Sequence, residues 1–369
     1  MGTYFSSRVR LIQGFGGALL VLVSGCSANF QRPVLAKEFL IAAVLSSGAY
    51  LHRVFTIDPS SGALTLAGTS TGTGNSQLVF DSTGTFGWAV GPAATTTIFQ
   101  LTPATASLQS VFSESLGNGT HRWRGAYWIP DTSKVISLLG AGLASYLYLS
   151  EIAADGSSNT LLAYTGDLGG QGASALSAYS QRGRYAFVVV GTPASLHMVR
   201  VDASAPALSI TSTITATAGI SALFMAHDES FLVVRLNGGV PATQVYAIDY
   251  ASETIRLVSS TADLGLQSGA FGADGILFSV DEDASLYAIT FDSTTYAPTI
   301  VQTVPLTSRP DRVLALSRSG KFLYISEPAL QKIRSYSVSG NGVLTETGTI
   351  ETNGSVATLG GNYVLQPLP

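Results

Sequence analysis

From residue 39 onward, the chain alternates short apolar runs with polar turns, and no segment there carries a helical period. One recurring unit is an aromatic residue, a spacer and an aliphatic residue. Residues two apart lie on the same face of a strand, so each copy predicts the same apolar surface in the same strand of successive units. Copies are Phe55-Thr56-Ile57, Phe99-Gln100-Leu101, Tyr246-Ala247-Ile248, Tyr287-Ala288-Ile289 and Tyr336-Ser337-Val338.

A second recurring unit is a glycine turn that leads into a short buried strand. Its clear copies are Gly84 with 86–90, Gly183 with 185–190, Gly275 with 276–280 and Gly320 with 322–325, and less regular copies begin at Phe39, Lys134 and Phe231. Successive copies start about 45 to 50 residues apart, a period that fits four short strands per unit. The sequence therefore predicts an all-β fold, a seven-bladed β-propeller with four-stranded blades.

The two ends of this pattern indicate how the ring closes. The pattern begins with a buried strand near Phe39 and ends with an innermost-type strand near Val356. The closing blade would then be shared by the N- and C-termini, which leaves no open edge in the ring. The predicted innermost strands are 77–80, 125–129, 175–179, 222–226, 268–272, 312–316 and 356–359.

Aspartates recur where the third strand of a unit ends and a polar turn begins. They are Asp58, Asp202, Asp249 and Asp292. Such carboxylates could ligate a metal, but aspartate also accepts hydrogen bonds from backbone amides two residues further on. We expect the turn role.

Three stretches carry a family resemblance. They are Ile57-Asp58-Pro59-Ser60-Ser61-Gly62-Ala63-Leu64-Thr65, Ser319-Gly320-Lys321-Phe322-Leu323-Tyr324-Ile325-Ser326 and Asn341-Gly342-Val343-Leu344-Thr345. The chain resembles the lactonase-type seven-bladed propellers, a group that includes 6-phosphogluconolactonase and muconate-lactonising enzymes. The resemblance covers most of residues 39–365. It implies functional residues where innermost strands begin and where buried strands end.

The chemistry of that family is not matched by this sequence. A Pro-Arg-His run followed by Asn-Glu in the family corresponds here to Ser174-Ala175-Leu176 and Val190-Gly191. A second family motif, with histidines ahead of Asp-Leu-Gly, corresponds to the region from His121 to Gly140 and lacks its acidic residue. Lactone hydrolysis needs an activated water and a cation for the developing oxyanion. The resemblance therefore implies the fold without its usual catalytic residues.

Composition narrows the possible partners. Only 11% of residues are charged, against about 25% in ordinary soluble domains. The net charge is −4 and no basic patch occurs, so nucleic acid is not an expected partner. A single cysteine allows neither a disulfide framework nor a thiolate metal site. No cofactor and no metal are expected.

Three polar groups are predicted to share one end of the propeller. They are His121, Arg122 and Arg124; Asp281, Glu282 and Glu327; and Asp311 with Arg312. As a site they would hold a small anionic or sugar-like ligand, or a hard cation. They could equally be solvated loop charges that pair locally. The remaining histidines, His52, His197 and His227, lack ligand spacing and are expected to be hydrogen-bonded strand or turn residues.

The N-terminus predicts export. Arg8 and Arg10 precede an apolar run, 11–23, and the segment Val23-Ser24-Gly25-Cys26 resembles the lipobox of bacterial lipoproteins. The resemblance implies removal of 1–25, a palmitate-type lipid on Cys26, a tether over 26–38 and a propeller domain over 39–369. An ordinary cleaved signal peptide is the alternative. The apolar run is shorter than the roughly 20 residues that a membrane-spanning helix needs.

Together these features predict a lipid-anchored protein of the bacterial cell envelope. Ser27 follows Cys26 where an aspartate would favour the inner membrane, so the outer membrane is the expected location. The expected role is a binding or interaction scaffold that presents one propeller face to a protein or a small polar ligand, with the membrane as its second partner. We expect no catalysis. The alternative is a divergent lactonase or related hydrolase that acts on a sugar lactone or a similar small substrate.

Overall fold

The predicted repeats fold as seven four-stranded antiparallel sheets in the computed structural model of the chain. The structure describes residues 34–72, 78–90, 95–115, 121–141, 144–169, 176–191, 193–238, 242–308 and 314–367. The predicted signal segment 1–25, Cys26, Asp311 and Arg312 lie outside these ranges.

Each sheet is a blade whose strands follow one another from the axis outward. The innermost strands are β4 Leu78–Phe80, β8 His121–Trp128, β12 Leu176–Tyr179, β16 Gly219–Met225, β20 Ser268–Phe271, β24 Leu314–Leu316 and β28 Ser355–Pro367. The second strands are β1 Val34–Ser46, β5 Phe86–Val90, β9 Lys134–Ala141, β13 Tyr185–Val190, β17 Phe231–Asn237, β21 Leu277–Val280 and β25 Phe322–Glu327.

The outer half of each blade is made of the third and fourth strands. The third strands are β2 Ala49–Ile57, β6 Thr95–Thr102, β10 Ala144–Ile152, β14 Ser195–Asp202, β18 Thr243–Asp249, β22 Ser285–Phe291 and β26 Lys332–Val338. The fourth strands are β3 Leu64–Thr71, β7 Ser107–Ser115, β11 Asn159–Tyr164, β15 Ala207–Thr215, β19 Thr254–Thr261, β23 Pro298–Pro305 and β27 Leu344–Glu351. A 3-10 turn covers Pro328–Leu330.

Contacts between innermost strands close the ring. Each innermost strand touches the innermost strand of the next blade, and β28 touches both β24 and β4. The first blade has the order β28-β1-β2-β3, so one C-terminal strand completes a sheet of three N-terminal strands. The predicted closure is confirmed. β1 begins at Val34, so residues 34–38 of the expected tether are already paired with β28.

The core lies between blades rather than at a single centre. Seven apolar clusters each join two adjacent blades. At the closing seam, Phe55 and Ile57 of the first blade pack with Tyr324 and Ile333 of the seventh. Burial of such side chains stabilises a fold by about 1.5–3 kcal/mol each. The second strands are buried on both faces because they lie between these clusters.

The outer strands share an irregularity that the sequence did not indicate. In every blade, the pairing of the third and fourth strands shifts by one residue at the same point. The shift leaves one extra residue on the outer strand, such as Ala67 in the first blade and Val111 in the second. Bulges twist an exposed edge strand and discourage it from pairing with other chains.

No helix in the described ranges is long and apolar enough to cross a membrane.

Candidate functional site

Strand direction defines the two ends of the ring. One end, here the linker end, holds the links between blades, such as 262–267, and the turns after the second strands, such as 281–284. The opposite end holds the turns between first and second strands, such as 180–184, and between third and fourth strands, such as 58–63. In the lactonase-type pattern, functional residues would belong to the linker end.

The structure brings several of the predicted site residues to the linker end. β8 leaves this end with His121 opposite Ala141 and Arg122 opposite Gly140, and Arg124 is the extra residue of a register shift in β8. The backbone is the part of these three residues that the structure describes. Asp281 and Glu282 follow β21 of the sixth blade at the same end, and Glu327 is the last residue of β25 in the seventh.

Asp281 shapes the turn that follows β21. Its Oδ1 accepts hydrogen bonds from the backbone N–H of Asp283 at 2.9 Å and of Ser285 at 2.8 Å. Its Oδ2 accepts one from the Tyr287 hydroxyl at 2.6 Å. The residue is only 6% exposed. Burial, and then the hydrogen bond to Asp281, raises the pKa of Tyr287. Both carboxylate oxygens are therefore engaged by donors of the same blade.

A partly exposed ion pair lies beside this turn. Arg235, near the end of β17, donates from Nε to Asp263 Oδ1 at 2.9 Å and from Nη2 to Asp263 Oδ2 at 2.8 Å. Asp263 Oδ1 also accepts from the N–H of Gly265 at 2.9 Å. The hydrogen bond from Arg235 is the main reason that the pKa of Asp263 is lowered. A two-point pair of this kind fixes the plane of the guanidinium.

These groups line one cleft between the fifth and sixth blades. Its volume is about 350 Å³, at the small end of the range of small-molecule sites, about 300–1,000 Å³. Gly265 has a φ of +69°, and a Cβ there would lie 3.1 Å from the Cβ of Asp281, so glycine allows the link to pass close to the Asp281 turn. The cleft is lined by Arg235, Asp263, Leu264, Gly265, Asp281, Glu282, Asp283, Tyr287 and Ile300.

Glu327 lies at the same end but is enclosed in the seventh blade. It is 0% exposed. Its Oε1 accepts from the N–H of Thr307 at 2.9 Å and of Ser308 at 3.1 Å. Its Oε2 accepts from Arg334 Nε at 3.0 Å and Nη2 at 2.7 Å. Glu327 thus holds the link that enters β24 and does not line the cleft with Asp281.

The described carboxylates of the linker end differ in their surroundings. Asp281 accepts three hydrogen bonds from protein donors and Glu327 accepts four. Glu282 and Asp283 are exposed at the rim of the cleft. Among the described residues, no group of three or more His, Cys, Asp or Glu side chains is arranged to hold a metal.

The recurring aspartates act in turns, as expected. Asp58 Oδ1 accepts from the N–H of Ser60 at 2.9 Å and of Ser61 at 2.8 Å. Hydrogen bonds of this type, first from the Ser60 hydroxyl, hold the pKa of Asp58 well below its usual range. Asp202, Asp249 and Asp292 make the same bonds to the amides two and three residues further on.

The histidines follow the expectation in part. His197 Nδ1 lies 2.9 Å from Thr213 Oγ1, and His227 lies in a turn where its carbonyl accepts from Gln181. For His52 the expectation was wrong. It is 0% exposed, and its ring forms a T-shaped contact with the ring of Phe99, with 4.9 Å between the ring centroids. Neither of its nitrogens has a hydrogen-bond partner among the described residues. Burial lowers its pKa to about 4.

Arg235 and Asp263 were not anticipated as site residues. The only indication in the sequence was the position of the two residues within the repeat. Arg235 comes near the end of a second strand, and Asp263 begins an Asp-Leu-Gly sequence in a link between blades. The same three residues recur at Asp167, where Oδ1 accepts from the N–H of Gly169 at 2.9 Å.

The seven four-stranded sheets define the fold as a seven-bladed β-propeller. No family model matches the sequence, and no curated protein matches it. A solved periplasmic gluconolactonase from Pseudomonas aeruginosa superposes with a TM-score of 0.71 at 14% identity, over 89% of this chain and 99% of that one.

Two further solved structures resemble the chain to the same degree. A putative 6-phosphogluconolactonase from Bacteroides uniformis gives a TM-score of 0.72 at 15% identity, over 88% of this chain and 99% of that one. A putative 6-phosphogluconolactonase from Bacteroides fragilis gives a TM-score of 0.70 at 16% identity, over 88% of this chain and 98% of that one. At such identities the likeness concerns the fold, which several unrelated activities can share.

Proposed function

We propose that this protein is a lipid-anchored propeller of the bacterial envelope that binds a polar ligand or partner at its linker end and does not hydrolyse lactones. Cys26 would carry the lipid. The cleft between the fifth and sixth blades would be the recognition site.

One observation carries the non-catalytic part of the proposal. The buried carboxylates of Asp281 and Glu327 accept three and four hydrogen bonds from protein donors. A general base needs a lone pair directed at the water that it activates. Here those lone pairs fix a turn and a link between blades. The arrangement supports a rigid binding surface.

The charge of the cleft indicates the ligand chemistry. Arg235 presents a guanidinium that Asp263 holds in place, while Glu282 and Asp283 supply exposed carboxylates. The lining sets the one guanidinium of Arg235 against the carboxylates of Asp263, Asp281, Glu282 and Asp283, so an anionic ligand would meet like charge there. A neutral polar ligand avoids that repulsion. A polyhydroxylated ligand fits this mixture.

The envelope location rests on the N-terminal pattern. Its support from known proteins is that one structural neighbour is described as a periplasmic gluconolactonase. The chain's one cysteine stands at the position where a lipobox places its acylated residue. Acylation would consume the thiol, which suits an oxidising compartment.

The anchor is tested by metabolic labelling with radioactive palmitate. We expect label in the wild-type protein and none in Cys26→Ser, together with a shift of the variant from the membrane fraction to the soluble fraction. Both proteins should accumulate to similar levels, because the propeller begins after this residue. Equal absence of label in the two proteins would contradict the anchor.

A divergent lactonase is the second candidate, and the fold shared with the gluconolactonase favours it. In that case Arg122, Arg124 and Arg312 would hold the developing oxyanion, and Asp281, Glu282 or Glu327 would activate water. The two candidates differ in one measurable property, the rate of lactone hydrolysis.

A further inference from the structure

The first blade carries an extension that none of the other blades has. β1 has 13 residues, against 8 or fewer in the other second strands. It pairs with β2 only from Phe39 to Ser46. Residues 34–38 pair with 363–367 of β28 alone. The two chain ends thus form a two-stranded ribbon beyond the edge of the blade.

Strand direction places this ribbon at the opposite end of the ring. β1 finishes at Ser46, and the turn that follows belongs to the linker end. Its beginning therefore lies at the end that holds the turns 58–63 and 180–184. One further contact joins the ribbon to that end, since Glu38 accepts a hydrogen bond from the N–H of Arg318 in a turn of the seventh blade.

The length of the tether limits how the ring can be oriented relative to the membrane. Eight peptide steps separate Cys26 from Val34, and a fully extended chain of that length spans at most about 29 Å. The 13 residues of β1 cover about 40 Å between Val34 and the linker end. A lipid on Cys26 therefore cannot reach the plane of the linker end.

We infer that the ribbon of 34–38 and 363–367 is a stalk that directs the opposite end of the ring toward the bilayer and presents the linker end, with its cleft, away from it. The inference rests on the proposed acylation of Cys26. It specifies a lipid surface as the partner of the opposite end and leaves the cleft accessible to a ligand from the aqueous side.

Charge at the opposite end indicates that the tether, rather than adsorption, sets this orientation. The exposed carboxylates of Asp58, Asp202, Asp249 and Asp292 belong to that end, and so do the exposed cations of Arg182, Arg184, Arg318 and Lys321. Anionic lipid headgroups would repel the first set and attract the second, so these charges do not by themselves drive adsorption. A neutral bilayer is therefore the proper surface for a test.

The test measures how close chosen positions come to the headgroups. The acylated protein is reconstituted into phosphatidylcholine vesicles that contain a headgroup-labelled nitroxide lipid, and single cysteines carry a fluorophore. Cys26 is blocked by its lipid. Two blades each provide a matched pair of exposed positions, one at the opposite end and one at the linker end. The pairs are Ser60→Cys and Ala49→Cys in the first blade, and Ser293→Cys and Asp283→Cys in the sixth.

We expect at least twofold stronger quenching at positions 60 and 293, at the opposite end, than at 49 and 283, at the linker end. Equal or inverted quenching in either pair overturns the orientation. In a second experiment, a six-histidine tag replaces Cys26 and binds the protein to nickel-chelating vesicles. We expect the same order of quenching there, without acylation. Failure of the acylated protein to float with vesicles counts against the anchor, while the order in the second experiment decides the orientation.

Discussion

His52 is the residue whose surroundings differ most from what its type requires. It lies at 0% exposure between the first two blades, against the ring of Phe99, with no hydrogen-bond partner among the described residues. A buried imidazole in an apolar site is held neutral because the charged form loses its solvation. Burial lowers its pKa to about 4.

This depressed pKa predicts a loss of stability in mild acid. The unfolded chain binds a proton on His52 below about pH 6.5, while the folded chain does so only near pH 4, so acid favours unfolding between these values. We expect the free energy of unfolding to fall by about 2 kcal/mol between about pH 7.5 and pH 5 through this residue. Urea denaturation at the two pH values measures it.

The matched control is His52→Phe, which keeps an aromatic ring in the cluster and removes the titration. Between about pH 7.5 and pH 5, the free energy of unfolding of this variant should fall by about 2 kcal/mol less than that of the wild-type protein. An identical pH dependence in the wild-type protein and in the variant would show that His52 is not buried in its neutral form.

Glu327 offers a second test at this scale. Its carboxylate is fully buried and bonded to Arg334 and to the amides of Thr307 and Ser308. Removing one charge of a buried pair leaves the other uncompensated, at a cost of about 3–5 kcal/mol. Because Arg334 keeps its pair with Glu346, we expect Glu327→Gln to lower the free energy of unfolding by about 3 kcal/mol.

Glu346→Gln provides the control, since the side chain of Glu346 is 45% exposed and bonds the same arginine. Its loss should cost less than about 1 kcal/mol. Chemical denaturation of both variants decides the matter, and equal effects would refute the structural role of Glu327. Sequence spacing placed Glu327 at the linker end, but its partner Arg334 comes from the neighbouring strand and could not be read from the chain.

At the scale of elements, turn glycines join adjacent blades. Gly62 has a φ of +69°, and a Cβ there would lie 2.2 Å from the ring of Phe322 in the seventh blade. The hydroxyl of Tyr324 also donates to the carbonyl of Gly62 at 3.1 Å. The turn between β2 and β3 therefore seals the seam where the ring closes.

We expect Gly62→Ala to lower the free energy of unfolding by about 3 kcal/mol, from the left-handed backbone and from the clash with Phe322. Gly48→Ala separates the two causes. Gly48 has a φ of +82° with nothing within 4 Å of the built Cβ, so its variant should lose only about 1 kcal/mol. Thermal unfolding of the two proteins is the measurement, and similar losses would mean that the contact at the seam is unimportant.

Strand positions were predictable because apolar alternation and turn residues are local signals. The strand β5 at Phe86–Val90 and the strand β13 at Tyr185–Val190 occupy the predicted residues. The bulges in the outer strands were not predictable, because an extra residue such as Ala67 or Val111 becomes visible only when the register with the third strand is known. The ion pair of Arg235 and Asp263 joins residues 28 apart in the chain, and only the fold brings them together.

At the scale of the molecule, the closing blade connects fold and proposed function. The same sheet that closes the ring also carries the ribbon of 34–38 and 363–367, from which the proposed tether would depart. The period of the repeats and the unmatched strands at the two chain ends were enough to predict this closure. The length of β1 was not predicted, since the pattern indicated a first strand only from Phe39.

The whole-molecule account therefore combines a fold shared with lactonases and a linker end whose buried carboxylates are engaged in structural bonds. The similarity to a gluconolactonase at 14% identity concerns the fold. Asp281 and Glu327 direct their carboxylate oxygens to donors of the protein, which supports the proposal that neither of them serves as a catalytic base.

The most direct test of the account is the rate of lactone hydrolysis by the purified domain that follows Cys26, measured on sugar lactones with and without divalent metal. The account predicts a rate equal to that of buffer under all these conditions. Hydrolysis well above that rate, reduced at least tenfold in a folded Glu282→Gln variant, would contradict it.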